Sequence, residues 1–230
     1  IPLDESRARY DEGMTQVAQL LEGDHVSCDG QFNSFSDITS LPRPTQQPRP
    51  PFWVAALASE QSFEAAGRNG HCLMAIPMAG GKMAGLLNTY REAWRTAKHP
   101  GQGRIMLSFS MHVNEDGDAA RAAFGPNLDS YLDALVDGAS SWLHGASTRD
   151  YPGYDRIIAE LKEDSFESQV ARVIAWVGTP DEVGDMMADY LDGLGDIATA
   201  SLHILPHRTD YAAAEASMRL FAEQVMPRFR

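Results

Sequence analysis

Apolar positions along the chain follow two periods. Between Asp4 and Glu22, Tyr10, Met14, Val17, Ala18 and Leu21 fall three and four apart. That spacing makes the stripe of an amphipathic helix, and Gly23 ends it. From Phe52 onward, short apolar runs alternate with helical stretches. Phe52–Leu57 and His71–Met78 are too short for helices and are bounded by breakers, so they predict buried strands. Ile105–Val113 predicts a third strand, in which Ile105, Leu107, Phe109, Met111 and Val113 alternate and leave the other face more polar. Val170–Val177 is a further short apolar piece, and Ile197–Leu205 predicts the last strand. Helical spacing covers Ser59 to Arg68, Lys82–Lys98, Asp116–Val136, Thr179 to Leu191 and Tyr211–Val225, with Pro227 as a stop.

Two stretches depart from this series. His25–Phe35 alternates loosely around the turn pair Asp29-Gly30, which predicts a small hairpin. Leu41–Pro51 carries five prolines and reads as an extended surface crossing. Strands alternating with helices imply a parallel sheet. About four strand–helix units follow Phe52, half of an eight-fold (β/α) barrel, which takes about 250 residues in all. Ile1-Pro2-Leu3 reads as the middle of a loop, so further sequence is expected before it.

Composition narrows the function classes. The 230 residues are 43% apolar and 22% charged, as in an ordinary globular domain. A net charge of −13, spread along the chain, argues against nucleic acid or an anionic membrane as partner. Cys28 and Cys72 lie far apart in no metal-ligand or CxxC spacing, so the chain reads as reduced and intracellular, with no metal. No apolar run reaches about 18 residues, and no signal-peptide pattern is present. GxGxxG, GxxxxGK[ST] and GxSxG are absent, against a dinucleotide fold, a P-loop or a serine hydrolase elbow.

The stretch with most chemical content is the turn after Phe52–Leu57. Ser59 follows almost at once as an N-cap, with Ser62 three residues on and Phe63 and Ala66 behind it. A strand that turns directly into a helix leaves N–H groups free to hold a phosphate. The plain alternative is an ordinary strand–helix junction. The acidic pairs Glu163/Asp164 and Asp181/Glu182 read as solvated helix ends, and Met74, Met78, Met106 and Met111 as core.

Three stretches together resemble the luciferase-like family of flavin-dependent monooxygenases. They are Leu41 to Ala56 (LPRPTQQPRPPFWVAA) followed by Ser59 and Ala65-Ala66, Val177 to Val183 (VGTPDEV), and Ser217 to Pro227 (SMRLFAEQVMP). The resemblance implies an α/β fold of the (β/α)8 TIM-barrel type, a single barrel domain over residues 1–230, incomplete, with strands 5–8 and their helices present. It implies an enzyme that uses reduced FMN and oxygen on a small organic substrate; relatives use the deazaflavin F420. A flavin reductase partner, a homodimer and a cytoplasmic location come with it, and neither nucleic acid nor membrane. Residues matching the family's phosphate turn are Leu57, Ala58, Ser59 and, more weakly, Ser62. The basic partner and the catalytic positions would lie in strands before this chain, so no catalytic residue is assigned. The barrel rule places Pro77, Ser110, His112, Pro206 and His207 near the mouth, with His207 better placed than His203. Trp142, Tyr151 and Tyr154 read as a substrate lid or as a patch covering the barrel end. The rivals are a non-catalytic flavin binder and an unrelated sugar-phosphate barrel enzyme.

Overall fold

A computed structural model describes residues 5–139 and 159–229. The chain divides into two compact units, the first Ile1–Pro51 together with Ala139–Ala159, the second Phe52–Gly138 together with Glu160–Arg230. Trp142, Tyr151 and Tyr154, and the predicted helix start at Asp4, lie outside the described residues.

The first unit holds α1 (Ser6–Glu22) and an antiparallel hairpin of β1 (Val26–Asp29) and β2 (Ser34–Ile38). The predicted apolar stripe of α1 is not its buried side: Tyr10 and Val17 are exposed, and the buried residue is Gln16. Polar contacts decide the packing instead. Gln16 donates to the Asn33 carbonyl at 3.0 Å, and the Glu12 carboxylate accepts from the N–H groups of Phe32 at 3.1 Å and Asn33 at 2.8 Å. Burial works against the Glu12 charge, but these donations outweigh it and hold the carboxyl below its ordinary range. The proline-rich crossing is tied to the end of α1. Arg43 donates to the Leu20 carbonyl at 3.0 Å, and Arg49 pairs with Glu22 at 2.7 Å.

The second unit is a parallel sheet with helices between its strands. Its elements are β3 (Trp53–Ala56), α2 (Glu60–Arg68), β4 (Cys72–Ala75), α3 (Gly80–Thr96), β5 (Ile105–Val113) and α4 (Gly117–Ala139). After the undescribed stretch come α5 (Phe166–Ala171), β6 (Ala175–Gly178), α6 (Pro180–Leu191), β7 (Thr199–His203) and α7 (Tyr211–Leu220). Strand β3 pairs with β4, and β4 with β5. Met106 and Leu107 of β5 are paired both to β4 and to β7, so those strands flank β5. Ser110 is paired both to Ala175 of β6 and to His203 of β7, so these also lie on opposite edges. Strand β6 therefore shares the β4 edge of β5, further along. The order β3-β4-β5-β7 is the serial, open parallel sheet expected of consecutive barrel strands.

Alternation along β5 separates two faces. Ile105, Leu107, Phe109, Met111 and Val113 enter the main core with Leu73 and Ala75, under Met83, Leu87 and Tyr90 of α3 and Val183 and Met187 of α6. Phe109 is fully buried, stacked on Trp176 with centroids 3.7 Å apart and edge-on to Tyr190 at 5.2 Å. A separate cluster joins Ala120, Phe124, Leu128 and Leu132 of α4 to Phe166, Ala175 and Val177. Helices α2 and α3 cross at Gly67, where an added Cβ would lie 2.3 Å from the Tyr90 carbonyl oxygen.

Three expectations are corrected. The run Phe52–Leu57 is a strand, but of β3 only Ala56 is buried, because the strand pairs along one edge only among the described residues. Val170–Val177 divides into the end of α5 and the start of β6. The Ser165/Ser168 capping box starts a helix that apolar spacing alone does not show. Pro227 does not end the last helix. The chain widens into a π turn at Phe221–Val225 and then a 3-10 turn at Met226–Phe229, which takes Pro227 in without an α-type hydrogen bond to its missing N–H.

Candidate functional site

The turn between β3 and α2 has the predicted construction. Ser59 is the N-cap, in extended conformation, and its Oγ accepts the Ser62 N–H at 3.2 Å. The two hydroxyls lie 2.8 Å apart. Leu57, Ala58, Ser59 and Ser62 are all half-buried. Two adjacent hydroxyls share one hydrogen bond, which leaves one hydroxyl proton to donate outward. The first turn of α2 carries Glu60 and no basic side chain, so an anion here would be held by hydroxyl and backbone donors rather than by a cation.

The next strand end is held by a tyrosine. Tyr190 of α6 donates its hydroxyl to the Met78 carbonyl at 2.6 Å and accepts the Met78 N–H at 3.1 Å. Burial pushes its pKa up to about 12, with the Met78 contact acting the other way, so it stays protonated at any ordinary pH. Pro77, beside this clamp, is half-buried. Tyr190→Phe should cost about 1–3 kcal/mol, because it strands two backbone groups at once. Urea denaturation of the whole protein checks this; no change in midpoint would mean that water replaces the hydroxyl.

The face of the sheet away from the main core is polar. Ser108 of β5 lies opposite Ser201 of β7, and Ser110 opposite His203. Neighbouring strands are about 4.8 Å apart, so the four side chains form one patch. All four are half-buried, and the serine hydroxyls have no hydrogen-bond partner among the described residues. Faces of parallel sheets are ordinarily apolar, so this patch is not explained by packing. His112, two residues beyond Ser110, is 2% exposed, and its Nδ1 is buried without a partner among the described residues. Its ring stacks on Phe124 of α4, with centroids 5.4 Å apart and planes at 21°. Tyr131 of α4 meets His203 edge-on at 4.8 Å. His207, by contrast, is exposed at φ 51° beyond the strand, and Pro206 is buried. The structure thus brings Ser110, His112 and His203 together and leaves His207 outside. A strand ends on its last ladder pair, here Ser110 with His203, before the chain turns away.

Ser108, Ser201, Tyr131 and Tyr190 are additions that sequence reasoning missed. The signal for the serines was available in the polar alternate positions of a central parallel strand. Nothing local marks Tyr131 or Tyr190, whose partners are far away in the chain.

The sequence profile of the luciferase-like monooxygenases matches residues 1–196. The chain belongs to the luciferase-like monooxygenase family. Over 120 residues, 50% of the chain, this family member is 32% identical to the oxygenase component of the flavin-dependent trigonelline monooxygenase of Acinetobacter baylyi, covering 32% of that protein. Its fold superposes on the monooxygenase RslO1 from Streptomyces bottropensis with a TM-score of 0.77 at 32% identity, over 100% of this chain and 64% of that one. The oxygenating constituent of 3,6-diketocamphane monooxygenase of Pseudomonas putida, solved with FMN, gives 0.72 at 17% identity, over 97% and 64%. At that identity the likeness speaks for the fold. The chain spans less than two thirds of the length of each of these relatives. Among the described residues no helix is long and apolar enough to cross a membrane.

Proposed function

We propose that this chain forms the cofactor-phosphate side of a monooxygenase that uses reduced FMN and oxygen on a small organic substrate. The carrying observation is the Ser59/Ser62 hydroxyl pair at the start of α2, beside the C-terminal end of β3. Those donors suit a phosphate monoester, with Leu57 and Ala58 forming the turn against it. The patch of Ser108, Ser110, Ser201 and His203 suits the polar edge of a planar ring, since a hydroxyl both donates and accepts. When bound, reduced flavin supplies the electrons and the oxygen activation. The protein's part is to hold it, orient it and exclude water. The reading includes reduced flavin delivered by a separate reductase, pairing as a homodimer and residence in the cytoplasm. Deazaflavin F420 is the second cofactor to test, because it too carries a phosphate.

Ser59→Ala should weaken FMN binding about tenfold, the worth of one charged hydrogen bond of about 1.4 kcal/mol. Riboflavin, which has no phosphate, should bind wild type and variant alike. Fluorescence titration of the whole protein reads both. Equal FMN affinity in the two proteins would remove the phosphate assignment. FMN binding without substrate-dependent oxygen uptake would leave a non-catalytic flavin binder. The variant also loses a helix cap, at a cost of about 1 kcal/mol of stability.

A further inference from the structure

Helix α4 touches the polar face of the sheet through two aromatic–imidazole contacts, one stacked and one edge-on. Phe124 rests on His112 and Tyr131 on His203. The two aromatic residues are seven positions apart, two helical turns, and so project from one side of α4. The two imidazoles lie on adjacent strands, His203 opposite Ser110 and His112 two residues further on. Apart from these rings, α4 is buried in the small second cluster rather than in the main core. A helix held by a small cluster opens more readily than one in the main core.

We infer that α4 is a pH-sensitive lid over the Ser108–Ser110–Ser201 face, latched while His112 and His203 are neutral and released when they take up protons. A second proton would charge both rings where burial already disfavours charge, and at His112 it would leave the buried Nδ1 as a donor with no acceptor among the described residues. Two charges of α4 are committed elsewhere. On α4, Arg121 reaches Glu182 of α6 at 3.3 Å and Asp129 accepts the Phe166 N–H at 2.7 Å. From β6 the neighbours are the apolar Ala175 and Val177. Burial lowers the pKa of both histidines; at His203 a Leu205 backbone contact opposes it, and no carboxylate among the described residues offsets it at either ring. The sign follows. Closed-state pKa values lie below the ordinary value of about 6.5 that the open state regains, so closure is complete above that pH and is lost as pH falls below it. That the lid covers a ligand rests on the function proposed above; that it opens does not.

Hydrogen exchange on the intact protein without flavin tests the lid alone, whatever the fate of the monooxygenase reading. After correction for intrinsic exchange, protection across residues 117–138 should fall about tenfold or more relative to α6 between about pH 8 and about pH 5.5. The double variant His112→Phe/His203→Phe keeps aromatic contacts but cannot titrate, and should lose that dependence. Unchanged protection in the wild type, or the same fall in the double variant, would overturn the proposal. If the double variant does not fold, imidazole NMR titration of the wild type decides. Values below about 6.5 at both rings support the latch, and values at or above it refute it.

Discussion

Phe109→Ala is expected to remove about 3–5 kcal/mol of folding stability, the range for deleting a buried aromatic ring. Phe109 is completely buried, and its ring is the contact shared by three elements. It stacks on Trp176 of β6 and meets Tyr190 of α6, while its backbone pairs with Leu202 of β7. The cavity would open at the centre of the second unit. Domains are typically stable by about 5–15 kcal/mol, so the variant should be marginal. Urea denaturation followed by tryptophan fluorescence reads it, because Trp94 and Trp176 both lie in this core. A loss below about 1.5 kcal/mol would show that Phe109 is not the keystone described. Phe109→Leu should cost less, about 1–2 kcal/mol, because most of the volume stays filled.

Gly67→Ala should lower stability by about 1–3 kcal/mol despite the better helix propensity of alanine. The added methyl carbon would lie 2.3 Å from the Tyr90 carbonyl oxygen and 3.0 Å from both the Ala93 Cβ and the Trp94 nitrogen. Two of these are backbone atoms, which no rotamer change moves aside. Helix α2 must shift bodily, and it carries Ser59 at its start. The variant should therefore bind FMN more weakly as well as melt earlier, with Ser59 itself unchanged. Thermal melting and FMN titration of the same preparation test the link. A rise in melting temperature would mean that propensity outweighs the crossing.

The strand–helix series was legible because its signals are local. Thr179, Pro180 and Glu182 announce their helix, and the structure shows the full capping box. Ile105–Val113 came out with the same bounds because breakers flank a clean alternation. Alternation identified the core side of β5 but not what the polar side faces. That depends on β7, far along the chain, and on α4 folding back over both. The burial of α1 was misread for the opposite reason: its stripe is regular, yet Glu12 and Gln16 find backbone partners in the hairpin, and those hydrogen bonds set which side turns inward. The histidines show the same limit. The barrel rule favoured His207, past the strand end, but ladder register puts His203 opposite Ser110.

Strand β6 returns to the strand that the chain left. Asn114, just past β5, donates to the carbonyl of Gly178 at the end of β6, at 3.1 Å. Whatever the chain does between those two residues starts and finishes at one point of the sheet. Closure entropy grows only logarithmically with the length of such a detour. A change in the length of that detour, outside the residues that pack on the sheet, thus costs little closure entropy and leaves the register of the remaining strands as it is.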